Sequence, residues 1–431
     1  MKNALIILLL LLATPVSAQV KMTMEDAIRL SREHSFSVKS SQHDSLAAVY
    51  DYRAARSGRF PSLSLNAASF YIDELQTVSL LPNRSIELGS HENYQADVRL
   101  NMPLYTGGRL SSQINIQREN LNIHAFSLET ERLNIAYQAR QAYLALIMAG
   151  HLVKSAEASL NRIRLIQKDV ENLYAVGMAD SVDILDASLA HQKGSLNLVE
   201  YQTNLHNSLL RLAQVTGLEN KSEIVPSDEF PVPAENSAPD AAGRIIARPE
   251  LKISDSRVRS SQHLIGLNRA ALFPSLSGYV GYSAGKPNRD QFNAEWNDYF
   301  QAGLALNWEF NLGGKAVHST RSARQTLFSS QMVQENLKEQ LRLQADLAAS
   351  NLSRSYQSFL IAGTELEIAT SQYRLGQEKL KAGEISINRL LELEEELTSV
   401  EQAYQISIIN YYQAQSDYFY AVGDSRIFGG F

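Results

Sequence analysis

The chain has 431 residues, with 40 Lys and Arg against 46 Asp and Glu, a formal charge of −6 and no cysteine. The missing cysteine excludes a disulfide framework, a thiol nucleophile, a Cys-ligated metal and a cysteine-borne lipid anchor. The acidic balance argues against nucleic acid as a partner, since such domains usually carry a basic surface.

Residues 1–18 read as a secretory signal peptide. Lys2 starts it, Leu5 to Leu12 form an apolar run, and Val16-Ser17-Ala18 supplies a small-residue cleavage site. The run is about half the ~20 residues that a spanning helix needs. Cleavage removes Lys2 and takes the formal charge from −6 to −7. Beyond the signal no stretch could cross a bilayer as a helix. The exported chain is therefore soluble, or it crosses a membrane as β-strands.

Residues 19–59 are expected to form an N-terminal helix and 60–105 a first β-hairpin. From Tyr94 to Leu104 the sequence alternates with period two. Tyr94, Ala96, Val98, Leu100, Met102 and Leu104 fall on one face, and Gln95, Asp97, Arg99, Asn101 and Pro103 on the other. The partner strand starts at Ser62 with Leu63, Leu65 and Ala67, across a long polar connection at 73–93. This is the length and alternation of a tilted membrane strand. A half-buried sheet packed on soluble protein would alternate in the same way.

Residues 106–218 are expected to form a long-helix hairpin. No proline occurs from Leu104 to Val225. Apolar or small residues recur every seven positions from Ile114 through Ile135, Ala149 and Ala156 to Val170, the mark of a coiled-coil seam. A helix from Gly108 to Tyr174 is about 100 Å long at ~1.5 Å per residue. Pro226, Pro231, Pro233 and Pro239 then mark a linker or equatorial segment at 219–243.

The same plan follows again. We expect an entry helix at 244–272, a second β-hairpin at 273–312, a second long-helix hairpin at 313–423 and a tail at 424–431. From Phe300 to Phe310 the apolar face is Phe300, Ala302, Leu304, Leu306, Trp308 and Phe310. Its partner starts at Ser275, with a connection at 284–297. Trp296, Trp308, Tyr299 and Tyr282 suit a membrane-interface girdle. The second seam runs through Leu341, Ala348, Ser355, Ala362 and Ala369.

The chain is thus written twice. Phe60-Pro61-Ser62-Leu63-Ser64 recurs 213 positions on as Phe273-Pro274-Ser275-Leu276-Ser277. Gly107-Gly108 recurs 206 on as Gly313-Gly314, and Gly177 maps onto Gly383 at the same offset. The copies are collinear, with one loop seven residues shorter in the second. Four strands cannot close a barrel, and open edges cannot face lipid, so a membrane sheet needs several chains. The strands alone leave two, three or four chains open.

These residues resemble the TolC-type outer-membrane efflux protein family over essentially the whole mature chain. The resemblance is carried by Met24-Glu25-Asp26-Ala27-Ile28, Arg248-Pro249-Glu250-Leu251 and both Phe-Pro-Ser-Leu strand entries. It is carried further by the turns Tyr105-Thr106-Gly107-Gly108-Arg109 and Asn311-Leu312-Gly313-Gly314-Lys315, and by Tyr174-Ala175-Val176-Gly177 ahead of Asp183-Ile184-Leu185-Asp186-Ala187.

The resemblance implies a mainly α fold with a β-barrel portion. It implies a homotrimer whose 12-stranded outer-membrane barrel continues as a periplasmic α-helical coiled-coil barrel. The implied partners are a periplasmic adaptor, an inner-membrane pump reached through it, and outer-membrane lipid. No cofactor is implied, and the subunit would be a passive, gated conduit. Type I protein secretion is the alternative setting. The family's inward-facing aspartates at the periplasmic mouth match Arg389 and Glu392 here, so this chain departs from a simple aspartate ring. Asp183 and Asp186 of the first copy remain acidic, and these four are the candidate gate. Val176, Gly177, Gly383 and Ile385 are the candidate adaptor-contacting tips.

Other chemistry finds little support. The nine histidines include no pair at metal-ligand spacing, and Gly313-Gly314-Lys315 lacks a phosphate loop's spacing. Glu392, Glu394, Glu395 and Glu396 fan around a helix and read as a solvated face. A structural periplasmic coiled coil without a pore is the rival from another class, and an autonomous porin is a second. The strands placed alike in both copies speak against the first, and the excess of helix speaks against the second.

Overall fold

The computed structural model describes residues 20–81, 84–218, 224–228, 230–233, 248–292 and 295–430. The expected signal peptide at 1–18, and Pro239 of the linker, lie outside the described residues. In chain order come β1 (Val20–Met22), α1 (Met24–His34), α2 (Phe36–Ser57), β2 (Ser62–Tyr71), β3 (Gln76–Leu81), β4 (Arg84–Leu88) and β5 (Glu92–Tyr105). Then follow α3 (Arg109–Ala175), α4 (Ser181–Thr216), β6 (Ile224–Pro226), α5 (Pro249–Arg269), β7 (Ser275–Lys286), β8 (Asn297–Asn307), α6 (Lys315–Lys381) and α7 (Ile387–Val422). The chain divides into two compact units. One takes residues up to 40, 128–249 and 338 onward, and the other 41–127 and 250–337.

The second unit holds a four-stranded antiparallel sheet in the order β2-β5-β7-β8, with strands of 10, 14, 12 and 11 residues. Its register turns the period-two pattern into two chemically distinct faces. Leu65, Val98, Tyr282 and Phe300 form one cross-strand row. The neighbouring row is Ser64, Arg99, Gly281 and Gln301, and it points the other way. Among the described residues, β2 and β8 have a strand neighbour on one side only.

Two details differ from expectation. The connection at 73–93 carries a β-ribbon, β3 against β4, in which Thr77 opposes Glu87 and Val78 opposes Ile86. β-Branched residues at these positions favour the extended backbone over a polar coil. Gly89 donates its N–H to the Gln291 carbonyl at 2.8 Å, tying this ribbon to the second connection. The ladder of β8 ends at Asn307, opposite Ser275, so Trp308 and Phe310 fall beyond the strand. Pro274 precedes Ser275 and has no N–H with which to extend the ladder.

The strand-to-helix turns need glycine. Gly107 sits at φ +62, where a Cβ would lie 2.8 Å from the Ala270 carbonyl oxygen and 2.9 Å from Phe273 Cβ. Both the left-handed backbone and the close approach exclude larger residues there.

In the long helices the duplication reappears as length. α3 and α6 each have 67 residues, and α4 and α7 each have 36. Both hairpin turns pass through a glycine at φ +76, Gly177 and Gly383. Each restarts on a capping side chain, Asp180 before α4 and Ser386 before α7. Small residues along these helices are sealed: Ala139, Ala187 and Ala345 are fully buried, which lets the helices approach closely.

The expected N-terminal helix at 19–59 is a strand and two helices. Ser35 leaves the helical region at ψ 121, and its Oγ then accepts a hydrogen bond from Val38 N–H, so α2 starts afresh. β1 pairs in parallel with β6, and Met24 N–H donates to Asp228 at 2.6 Å. The expected tail at 424–431 contains a 3-10 turn, Ser425–Phe428, with Ile427 buried. Arg140, itself buried, donates to the Gly429 carbonyl at 2.6 Å and to Ser416 at 2.9 Å.

Candidate conduit wall and helical tip

Among the described residues nothing covers the sheet's apolar face. Phe300 and Leu304 are 65% and 69% exposed, and Leu63, Leu65 and Leu306 are equally open. A soluble protein rarely leaves so many large apolar side chains contiguous. The other face is polar: Asn66, Asp97 and Ser283 share a row, Gln95 donates to Asp97 at 2.9 Å, and Arg99 lies 5.6 Å over the Tyr279 ring. Trp296 and Trp308 flank β8, one at each end. Trp296 stacks on Tyr94 at 6.1 Å, and the Trp308 indole N–H points at the Leu272 carbonyl. None of the described helices is long and apolar enough to cross a membrane.

At the helical tip the two glycine turns come together. Val170 and Ala187 of the first copy pack with Ala369, Tyr373, Ile387 and Leu390 of the second. Ile385 packs against this cluster, while Val176 projects into solvent. A Cβ on Gly177 or Gly383 would meet open space, so glycine serves the backbone angle alone there.

Of the four candidate gate residues, the structure pairs two. Arg389 Nη1 lies 2.7 Å from Glu392 Oε2, and both side chains are more than half exposed. Asp183 closes a capping box instead: its carboxylate accepts from Asp180 N–H at 3.0 Å, while Asp180 accepts from Asp183 N–H. Asp186 is half-buried on the next turn. Among the described residues no ion pair joins Arg389 to Asp183 or Asp186.

One cluster escapes the sequence reading. Glu394 was expected on a solvated face with Glu392, Glu395 and Glu396, yet it is buried while those three are exposed. Its Oε1 accepts from Ser159 at 2.9 Å, Arg162 Nε at 3.1 Å and Thr398 at 2.8 Å. Arg162 also holds Glu401 at 2.9 Å and Thr398 at 2.9 Å. The guanidinium is spread over three groups, Glu394, Thr398 and Glu401, which gives it the satisfied geometry that a buried charge requires. Farther along the same helices Asp417 accepts from Tyr137 at 2.8 Å and Gln141 at 3.1 Å, and burial raises its carboxyl pKa above the ordinary range. Among the described residues no group of His, Asp or Glu could hold a metal ion.

Comparison with known proteins agrees with this architecture. The family model described as outer membrane efflux protein matches residues 27–218 and 245–416. The pyoverdine export outer membrane protein OpmQ of Pseudomonas aeruginosa is 25% identical over 336 residues, 74% of this chain and 66% of that protein. Outer membrane protein OprJ of the same organism is 26% identical over 312 residues, 68% of this chain and 59% of that protein. The matched stretches thus span less than two thirds of these two relatives' own length. The solved structure of CusC shares the fold at a TM-score of 0.80 and 15% identity, covering 94% of this chain and 92% of that one. The outer-membrane channel OprN does so at 0.79 and 17%, covering 94% and 90%. The match runs through both copies, and the chain belongs to the outer membrane efflux protein family.

Proposed function

We propose that the chain is one subunit of a passive, gated export duct that crosses the outer membrane and extends into the periplasm. In this reading three chains pool their strands into a 12-stranded barrel, and the long helices form a coiled-coil tube. The observation that carries it is the four-stranded sheet, which among the described residues has one uncovered apolar face and no strand beyond β2 or β8. Such edges and such a face are stable in lipid only when further chains close the sheet.

The spacing of the tryptophans supports a membrane position. Trp296 and Trp308 are about 40 Å apart along an extended chain at ~3.3 Å per residue. A strand tilt of about 40° reduces this to roughly 30 Å along the membrane normal, close to the hydrocarbon thickness. The tip residues Val176, Gly177, Gly383 and Ile385 would meet a periplasmic adaptor that links the duct to an inner-membrane pump. Arg389, Glu392, Asp183 and Asp186 would line the closed entrance.

The test is fractionation followed by reconstitution. The mature protein is expected in the outer-membrane fraction, extracted by detergent as a heat-modifiable oligomer of three chains that conducts ions in planar bilayers. A monomer recovered from the soluble periplasmic fraction, with no conductance, would overturn the proposal.

A further inference from the structure

The two copies differ where the strands hand over to the long helices. In the first copy Gly58, just after α2, faces Leu110 near the start of α3: a Cβ on Gly58 would lie 3.2 Å from Leu110 Cδ1. The leucine fills that junction. The offsets of 213 and 206 carry Gly58 onto Ala271 and Leu110 onto Ala316. In the second copy both alanines line a cavity of about 690 Å³, because neither side chain is long enough to bridge the junction as Leu110 does.

The lining changes character along the chain. Leaving β8, it takes in Trp308, Phe310 and Leu312, each at least half exposed. Trp308 and Phe310 pack ring against ring at 4.6 Å. Their counterparts in the first copy are Met102 and Leu104, inside β5, so the aromatic wall belongs to the second copy alone. In sequence this wall continues directly from Leu304 and Leu306 of the sheet's apolar face.

Beyond the aromatic wall come charges. Arg109 opens α3 and Lys315 opens α6, and the two line the same cavity although 206 residues separate them. Glu309 is the one carboxylate among the described lining residues. All three side chains are exposed, and among the described residues none of them forms an ion pair. Arg269 lies over the ring of Phe273, a lining residue, at 6.0 Å and adds a third cation beside the cavity. A free anion would use the cations and leave the aromatic wall bare, and a plain hydrocarbon would do the opposite. An amphiphile with an anionic head satisfies both parts of the lining.

We propose that this cavity holds a phosphatidylethanolamine of the surrounding leaflet. Its phosphate sits on Arg109 and Lys315, its ammonium on Glu309, and an acyl chain lies against Trp308, Phe310 and Leu312. The phosphate diester carries one negative charge, which the two cations meet with charge-assisted hydrogen bonds. Basic pockets at the membrane boundary recognise lipid headgroups in this way, and tryptophan suits the same depth. The ethanolamine head matches both signs of charge in the lining, whereas a glycerol head offers Glu309 no cation. This assignment rests on the membrane position proposed above and specifies a lipid that the strand-to-helix junction of the second copy selects.

Native mass spectrometry tests the site on full-length protein extracted from outer membranes and given equal amounts of phosphatidylethanolamine and phosphatidylglycerol. The parent is expected to retain phosphatidylethanolamine in preference to phosphatidylglycerol by roughly tenfold. Ala316→Leu restores the first copy's filler without touching a charge, and Arg109→Gln/Lys315→Gln removes the cations without touching the wall. Each is expected to cut retention roughly tenfold, and where one fails to reach the membrane the other decides. Glu309→Gln is expected to keep the lipid and lose the preference between headgroups. Lys168→Gln, exposed near the far end of α3, is expected to retain lipid as the parent does. Undiminished retention in the cavity variants, or no retained lipid or no headgroup preference in the parent, overturns the site and leaves the duct standing. A parent recovered from the soluble periplasmic fraction overturns both.

Discussion

Arg162 Nε lies 3.1 Å from Oε1 of Glu394, whose side chain is 3% exposed, so the charged joint between α3 and α7 depends on a carboxylate that water does not reach. Removing the base alone leaves that carboxylate uncompensated. Arg162→Ala is expected to cost about 3 kcal/mol, the range for breaking one side of a buried pair. Pairing it with Glu394→Gln is expected to recover part of the loss, because the buried negative charge goes too. Thermal unfolding of the three proteins checks this, and equal stability of Arg162→Ala and the parent would contradict it.

Alkaline pH is expected to destabilise the helical unit. Burial raises the hydroxyl pKa of Tyr137 and Tyr143 well above the ordinary value and pushes Tyr412 up to about 12. Between about pH 10 and these folded values the unfolded tyrosines have lost protons that the folded ones keep, so stability falls as pH rises. Arg140 acts oppositely: burial lowers it to about 10, so its folded form gives up its proton first and stability rises across that window. Three groups against one leave a net loss. Unfolding midpoints at about pH 9 and 11 measure it, and Tyr137→Phe is expected to reduce the drop.

For the entrance, the exposed Arg389–Glu392 pair contributes roughly 0.5 kcal/mol or less. Arg389→Ala is therefore expected to leave the unfolding midpoint nearly unchanged. If Arg389 lines the mouth, single-channel conductance rises in Arg389→Ala, and Arg389→Asp shifts selectivity towards cations. Three indistinguishable traces from parent, Arg389→Ala and Arg389→Asp would place the residue outside the lumen and end its assignment to the gate.

Period and offset were the legible part of this chain. The alternation from Tyr94 to Leu104 lies within β5, and α3 and α6 begin and end 206 residues apart because the turn glycines and capping residues repeat at that spacing. Burial within a charged run was not legible. Glu394 differs from Glu395 only in which side of α7 it occupies, and that side meets Arg162, which is 232 positions away in the sequence. The break at Ser35 escaped for a local reason, since a serine inside a helix and a serine restarting one look the same in sequence. The β3–β4 ribbon escaped because its strands are short and bordered by polar residues.

The central claim is that β2, β5, β7 and β8 are part of the wall of a membrane barrel, and site-directed labelling tests it most directly. Single cysteines are placed at Val98 and Leu304 on the apolar face, and at Gln95 and Gln301 on the polar face. In intact outer membranes Val98→Cys and Leu304→Cys are expected to react with a lipid-soluble reagent and resist a water-soluble one, while Gln95→Cys and Gln301→Cys do the reverse. The same reactivity on both faces would contradict it.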